Sequence, residues 1–214
     1  VLEIDESDRV LGHELFQGGD KEVYNMSTDI FVVDTPYLIE KLEEEAAKEE
    51  PRKLRYVLRD LAVAENAFAY EYTGYLSNIH SVKAYFDANL DMLESEKFYK
   101  LFAPNQKVYT KVKNEEPTYY ATSSDVKVSQ FASGSIVRGK VEHSVVSRNV
   151  DLAEGSSVGH SVLFPRVKVG KGATVEYAIV DKGVEIAEGV TIRGTENNPV
   201  VIRKGSVVTE DIVR

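Results

Sequence analysis

An α/β portion leading into a triangular, stacked β-coil is the fold class that this 214-residue sequence predicts, and three observations predict it. The first is a repeat after residue 125. Five segments obey the rule apolar-x-x-Gly-x-x-apolar (131–137, 152–158, 169–175, 186–192 and 202–208), with Gly134, Gly155, Gly172, Gly189 and Gly205 separated by 21, 17, 17 and 16 residues. The second is a pair of companion registers. Ser144-Val145-Val146, Ser161-Val162-Leu163 and Ala178-Ile179-Val180 recur at a spacing of 17, as do Val150, Val167 and Val184. The third is an alternation of strand-like and helix-like segments before residue 104. Recurring Gly among β-branched residues excludes a helix for the repeat, and strict apolar/polar alternation, the mark of a hairpin array, is absent. One apolar residue about every six positions fits three short sides per coil, each sending one side chain inward, with Gly where a turn needs positive φ. This is the hexapeptide-repeat parallel β-helix, left-handed in its families. The even glycine spacing leaves room for extra chain only in the first interval, and 197–199 reads as a plain turn.

Taken in order, the chain opens inside what reads as a strand. Residues 23–34 read as a second strand, rich in β-branched and aromatic side chains. Asp34 or Thr35 caps a helix with Pro36 in its first turn. Leu38, Ile39, Leu42 and Ala46 share its buried face, and Pro51 ends it. The acidic run 43–50 is its solvated face. A second amphipathic helix covers about 53–65, and 67–72 is a short strand. Ser81 caps a helix to about Leu93, Ser95 caps another through Leu101, and residues 103–105 form the linker. Within the coil, Val158 and Val175 point inward. Val146, Leu163 and Val180 form an outward apolar stripe, to be covered by the α/β portion or by a second subunit.

Composition limits function. Apolar residues make up 43% and charged residues 29%, enough for a packed core, and without Cys there are no disulfides, thiolate metal sites or cysteine nucleophiles. No stretch has the length and apolarity of a membrane span. A net charge of −9 argues against a nucleic-acid partner. Residues 1–50 hold 15 acidic and 4 basic side chains, so the rest is nearly neutral. The opening lacks an initiator Met and a signal-peptide pattern, and is expected to be a fragment that starts within a domain of a cytoplasmic protein.

Three motifs carry a resemblance. Residues 27–34, STDIFVVD, resemble the S-M-G-I-Y-V-F-D strand of the glucose-1-phosphate adenylyltransferase (ADP-glucose pyrophosphorylase) family. Residues 74–81, GYLSNIHS, lie on its G-Y-W-x-D-I-G-T segment. Residues 85–93, YFDANLDML, resemble its Y-Y-x-A-N-x-x-L-L helix. The resemblance spans nearly the whole chain. It implies the C-terminal part of a Rossmann-like nucleotidyltransferase domain over 1–104 and the β-helix over 105–214. It also implies ADP-glucose chemistry for glycogen biosynthesis, in which Mg²⁺ is held by carboxylates in the active members. The ligand-facing positions depart from the pattern. Asn78 stands where the family has a metal-binding Asp, and a neutral amide is a poor ligand for a hard dication. His80 replaces a Gly. Asp29 replaces the Gly of the sugar-binding strand and would repel a phosphate. Residues 15–17, the overlay of the family's E-K-P, carry no Lys. Only Ser27 survives as a sugar contact.

The departures imply a non-catalytic, regulatory-type subunit with no catalytic residue and no metal or cofactor of its own. Its partner would be a catalytic adenylyltransferase subunit in a hetero-oligomer, or another copy of itself, with small phosphorylated metabolites as possible ligands. Two alternatives stay open: an active sugar-1-phosphate nucleotidyltransferase with atypical residues, and a hexapeptide acyltransferase using His143 or His160 as general base. The plainer reading of His143, His160 and Tyr177, 17 apart, is a stacked corner ladder. Lys107, Lys111 and Lys113 read as a solvated face that an effector phosphate could meet. His13 and His80 have no companions at metal-ligand spacing.

Overall fold

The computed structural model describes residues 1–16, 23–103, 108–111 and 113–214. The chain divides into two compact units, Val1–Thr73 and Gly74–Arg214.

In the first unit, β1 (Leu2–Ile4) and β2 (Val10–His13) pair antiparallel. The turn between them closes on Asp5, whose Oδ1 accepts from the backbone N–H groups of Ser7 and Arg9 at 2.8 and 3.0 Å. Helix α1 (Thr35–Ala46) starts as the sequence predicts: Asp34 Oδ1 accepts from Tyr37 N at 3.0 Å, with Pro36 in the first turn. Helix α2 (Leu54–Ala64) follows and buries Val57. Two expected strands are absent. Residues 23–34 form no strand, and 67–72 contribute one isolated bridge, Arg9 to Phe68. A strand needs a ladder partner and a covered face. Here Ile30 is 79%, Val32 fully and Tyr70 92% exposed, and the pairing of 67–69 with 8–10 is limited to Val10 N to Ala67 O and Ala69 N to Asp8 O, at 2.9 and 2.7 Å.

The acidic run is not uniformly solvated either. Glu45 is buried, receiving both Nε and the backbone N–H of Arg52 on Oε1 at 2.9 Å, with Lys48 on Oε2 at 2.5 Å. Arg52 continues to Asp60 of α2, and Asp60 to His13 Nε2 at 3.3 Å. The Arg52 guanidinium, then the Lys48 ammonium, hold the Glu45 carboxyl well below the usual carboxylate range. A buried charge is tolerated because every oxygen has a donor.

The second unit begins with α3 (Val82–Leu90), where Ser81 Oγ accepts from Ala84 N at 3.1 Å. A 3₁₀ turn, Asp91–Leu93, leads to α4 (Ser95–Leu101). Ser95 is the first residue of α4, with Glu94 at the cap position. From Tyr119 onward the chain is a parallel β-solenoid of about six turns with three faces. Face one stacks Tyr119–Tyr120, Ile136–Val137, Asp151–Leu152, Lys168–Val169, Glu185–Ile186 and Val207–Val208. Face two stacks Asp125–Lys127, Lys140–Glu142, Ser157–Gly159, Thr174–Glu176, Thr191–Arg193 and Ile212–Val213. Face three stacks Gln130–Phe131, Val145–Val146, Val162–Leu163, Ala178–Val180 and Val200–Ile202. The inward column includes Val137, Leu152, Val158, Val169, Val175, Ile186 and Ile192, all within one buried cluster.

Three sequence expectations are corrected here. First, the five glycines are not one column. Gly155, Gly172 and Gly189 turn the chain from face one to face two. Gly134 and Gly205 lie at the corner from face three to face one, in register with Asn149, Arg166 and Gly183, all at positive φ. The local rule is the same at both corners because each joins two sides by the same turn. Second, the even spacing hides an excursion. Ile186 pairs with Val208, 22 residues on, and the extra chain is Gly194–Pro199, closed by a bridge between Thr195 and Asn198. Third, Val146, Leu163 and Val180 point inward and are buried in the core column, so the outer stripe is Val145, Val162 and Ile179. Val162 and Ile179 of that stripe are covered by α3, through Phe86, Tyr85 and Leu90. The α3–α4 segment, read with the α/β portion in the sequence, therefore packs in the same unit as the solenoid. Gln130 also donates to the Met92 carbonyl.

Candidate functional site

The sequence-predicted site residues fall in both units. In the first, Ser27 and Asp29 form a tight turn: Asp29 N donates to Ser27 Oγ at 3.3 Å, and Asp29 has φ +56. A left-handed residue here is what a Gly would supply without cost, which fits the Gly of the resembling strand. Arg59 of α2 locks the turn. Its Nη2 reaches both Asp29 oxygens at 2.7 and 2.8 Å, and its Nε reaches Oδ1 at 3.0 Å. The Asp29 carboxylate is neutralised within the protein, and the one guanidinium beside Ser27 is already bidentate to it. Leu15 and Phe16 are exposed, with Phe16 edge-on to Tyr24 at 4.9 Å. Gln17 lies outside the described residues.

An apolar recess of about 410 Å³ opens between the 31–34 segment and the two helices, lined by Phe31, Val33, Tyr37, Leu58, Leu61 and Glu65. Burial, then Glu65, pushes the Tyr37 phenol upward.

In the second unit, Asn78 is exposed on the turn before α3. Its carbonyl oxygen receives both the backbone N–H and the ring Nδ1 of His80, each at 3.0 Å. Because a carbonyl oxygen only accepts, this bond places a ring hydrogen on Nδ1 and fixes the ring's orientation. The carboxylate of this region, Asp91, is committed to Lys97 Nζ at 2.6 Å and the Tyr75 hydroxyl at 2.9 Å. Asp91, then Glu94, hold the Lys97 ammonium above its ordinary range. A neutral amide at Asn78, and an Asp91 carboxylate already paired, do not fit Mg²⁺. Among the described residues no group of three or more His, Asp or Glu is placed to hold a metal ion.

His143, His160 and Tyr177 stack on the corner from face two to face three. Their ring centroids are 5.1 and 4.8 Å apart, and all three residues have positive φ. Beneath them runs a serine ladder that sequence reading saw only as a repeat. Ser144 Oγ accepts from Ser161 N and Ser161 Oγ from Ala178 N, both at 3.1 Å, and each hydroxyl donates to the carbonyl two residues before it. Both serine hydroxyls are thus engaged as donor and acceptor, and the rings above them stack, which is the arrangement of a structural ladder. Lys111 and Lys113 are exposed. Lys107, like the 104–105 end of the expected linker, lies outside the described residues. A shallow recess of about 390 Å³ on face one is flanked by the ion pairs Arg138–Asp151 and Lys168–Glu185, at 2.6 and 2.7 Å. No helix among the described residues is long and apolar enough to cross a membrane.

Comparison with known proteins adds a second line. A family model described as "GlmU-like, C-terminal hexapeptide" matches residues 111–213. The chain is 35% identical over 198 residues to glycogen biosynthesis protein GlgD of Bacillus subtilis (strain 168), covering 92% of this chain and 55% of that protein. It is 54% identical over 127 residues to GlgD of Geobacillus stearothermophilus, covering 59% and 37%. It is 29% identical over 150 residues to the glucose-1-phosphate adenylyltransferase of Clostridium acetobutylicum (strain ATCC 824), covering 68% and 39%. The chain thus spans about half the length, or less, of these relatives.

Proposed function

From a chain that resembles glycogen biosynthesis proteins along nearly all its length and ends in a hexapeptide solenoid, we propose that it is part of a regulatory, non-catalytic subunit. This subunit would support ADP-glucose synthesis from ATP and glucose 1-phosphate in the cytoplasm. The observation that carries the reading is the state of the ligand-facing positions. Asn78 brings no charge for a metal, and Asp29 sits where a sugar phosphate would meet a carboxylate, with Arg59 already engaged by it. Side chains that would hold reacting groups are replaced, while capping, packing and coil residues are kept.

Phosphoryl-type transfer depends on positioning and on neutralising charge as it develops. A chain lacking both contributes differently. As a hetero-oligomer partner it would bias the catalytic subunit between two assembly states, each with its own affinity for substrate. Mg²⁺ and nucleotide then belong to the catalytic partner.

The test is a reconstituted assay. The full-length protein alone should make no ADP-glucose above background. Adding it to a catalytic homologue from the same cell should change that enzyme's kcat or its substrate KM. Robust turnover by the isolated protein would replace this reading with an atypical active nucleotidyltransferase. An unchanged catalytic homologue would remove the regulatory role.

A further inference from the structure

One corner of the solenoid carries almost nothing but positive charge. At the turns from face three to face one, successive coils place Arg148, then Arg166, then Lys182, then Arg203 and Lys204. The stacking is fixed by backbone bonds: Arg166 N to Arg148 O at 3.0 Å and Gly205 N to Lys182 O at 2.9 Å. Arg166 is held outward at φ +63, where Gly183 and Gly205 occupy the neighbouring rungs. Arg148 is paired with Glu115 at 3.1 Å, while Arg166, Lys182, Arg203 and Lys204 are exposed. The one carboxylate within the turn, Asp181, is spent on the Lys182 backbone N–H at 2.7 Å. The corner from face one to face two shows the contrast, with Glu154, Lys171 and Glu188 at equivalent places. A cationic edge in a chain of net charge −9 is charge segregation, not average surface.

The edge is convex. Neither recess described above includes any of these five residues. A small anion gains most where donors converge, and here they diverge along a ridge with rungs about 4.8 Å apart. A ridge fits a row of carboxylates on another macromolecular surface. The chain supplies such a row. Glu40 and Glu43 are exposed on α1, with Glu49 and Glu50 just beyond its end. A helix advances about 1.5 Å per residue, so Glu40 and Glu43 lie about 4.5 Å apart along the axis, close to one rung of the ridge.

We propose that the basic corner of one copy docks the acidic α1 face of a second copy, a contact made by charge between two different patches, which can close as a reciprocal pair or continue from copy to copy. Exposed ion pairs are individually weak, so the association should be concentration-dependent and lost in salt. The proposal stands on these charges and is independent of the catalytic or regulatory reading.

The experiment is sedimentation velocity on the 214-residue chain, with circular dichroism melts to check that each variant is folded. In about 10 mM salt, where the Debye length is roughly 30 Å, self-association should appear; near 1 M it should vanish. Arg166→Glu with Lys182→Glu should weaken it by about tenfold or more, as should Glu43→Lys with Glu50→Lys. An equimolar mixture of the two reversed variants should associate again, because each now offers the complement of the other. A wild-type chain that stays monomeric at low salt overturns the proposal. So does association that ignores either pair of reversals, or reversed variants that fail to complement.

Discussion

A residue's local pattern does not decide which corner of the solenoid it occupies. Gly134 and Gly155 sit in the same local pattern, yet a Cβ at Gly134 would come within 2.0 Å of Asn149 Oδ1, whereas at Gly155 nothing lies closer than 3.7 Å. Sequence reading sees the pattern, but the assignment to a corner depends on pairing register, which no single segment encodes. The inward residues were legible at Val158 and Val175, because one apolar side chain is flanked there by Ser, Thr, Gly and Glu. They were not legible at Val145–Val146 or Val162–Leu163, where both neighbours are apolar and only packing against α3 separates inside from outside. Val158→Ala or Val175→Ala should cost about 1–3 kcal/mol in a denaturant melt, while Lys171→Ala should cost little. Glu45 sets a pH dependence. Its carboxyl titrates lower in the folded chain than an ordinary Glu, because Arg52 and Lys48 hold its charge, so its contribution is present above the usual carboxylate range and is lost as pH falls through and below it. Thermal melts from pH 6 downward should show the wild type losing stability faster than Glu45→Gln, which starts lower and changes less. Parallel curves would show that the Arg52 network is not coupled to stability.

At the scale of elements, helix ends were the most readable features, because capping is a local interaction. Asp34 and Ser81 each bind the N–H three residues on, as expected from the side chain alone. Strands were the least readable before the solenoid. Residues 23–34 have the composition of a strand, but pairing belongs to the neighbour, and no described neighbour pairs with them. The solenoid strands, two or three residues long, were found only because they repeat. Helix α3 illustrates how an element gains its role from its partner. Its capped start was visible, but the surface it covers was not. Phe86 is 1% exposed against Val162 and Ile179, and Phe86→Ala should cost about 3–5 kcal/mol. Val162→Glu should destabilise by introducing an unpaired charge beneath the helix. If fluorescence-monitored melts of both variants match wild type, α3 is not a structural part of the solenoid.

For the molecule as a whole, two kinds of stability stand side by side. The solenoid has a continuous buried column and ladders on three sides, whereas residues 23–34 and 67–72 expose large apolar side chains and few backbone bonds. Amide exchange should therefore be slowest at Val141, Val158, Val175 and Ile192, and near the unprotected rate at Ile30, Val32 and Tyr70. Comparable protection in the two sets would mean that the first unit is completed by contacts of its own. The acidic excess of residues 1–50 was also plain from composition, but the basic corner was not. Its five cations are scattered from 148 to 204 in sequence and meet only because the coils stack.

A bare triangular coil is nearly alike on its three sides, so a rotation by a third of a turn would offer a neighbour much the same surface. Helix α3, laid over Val162 and Ile179, breaks that threefold equivalence. It gives the cylinder an azimuth. The aromatic corner lies along one margin of the occupied side and the cationic corner along the other. The side opposite the aromatic ladder keeps its alternating Asp151, Lys168 and Glu185. Anything that binds this protein laterally must therefore do so in one rotational setting, chosen by a helix that the solenoid repeat does not itself contain.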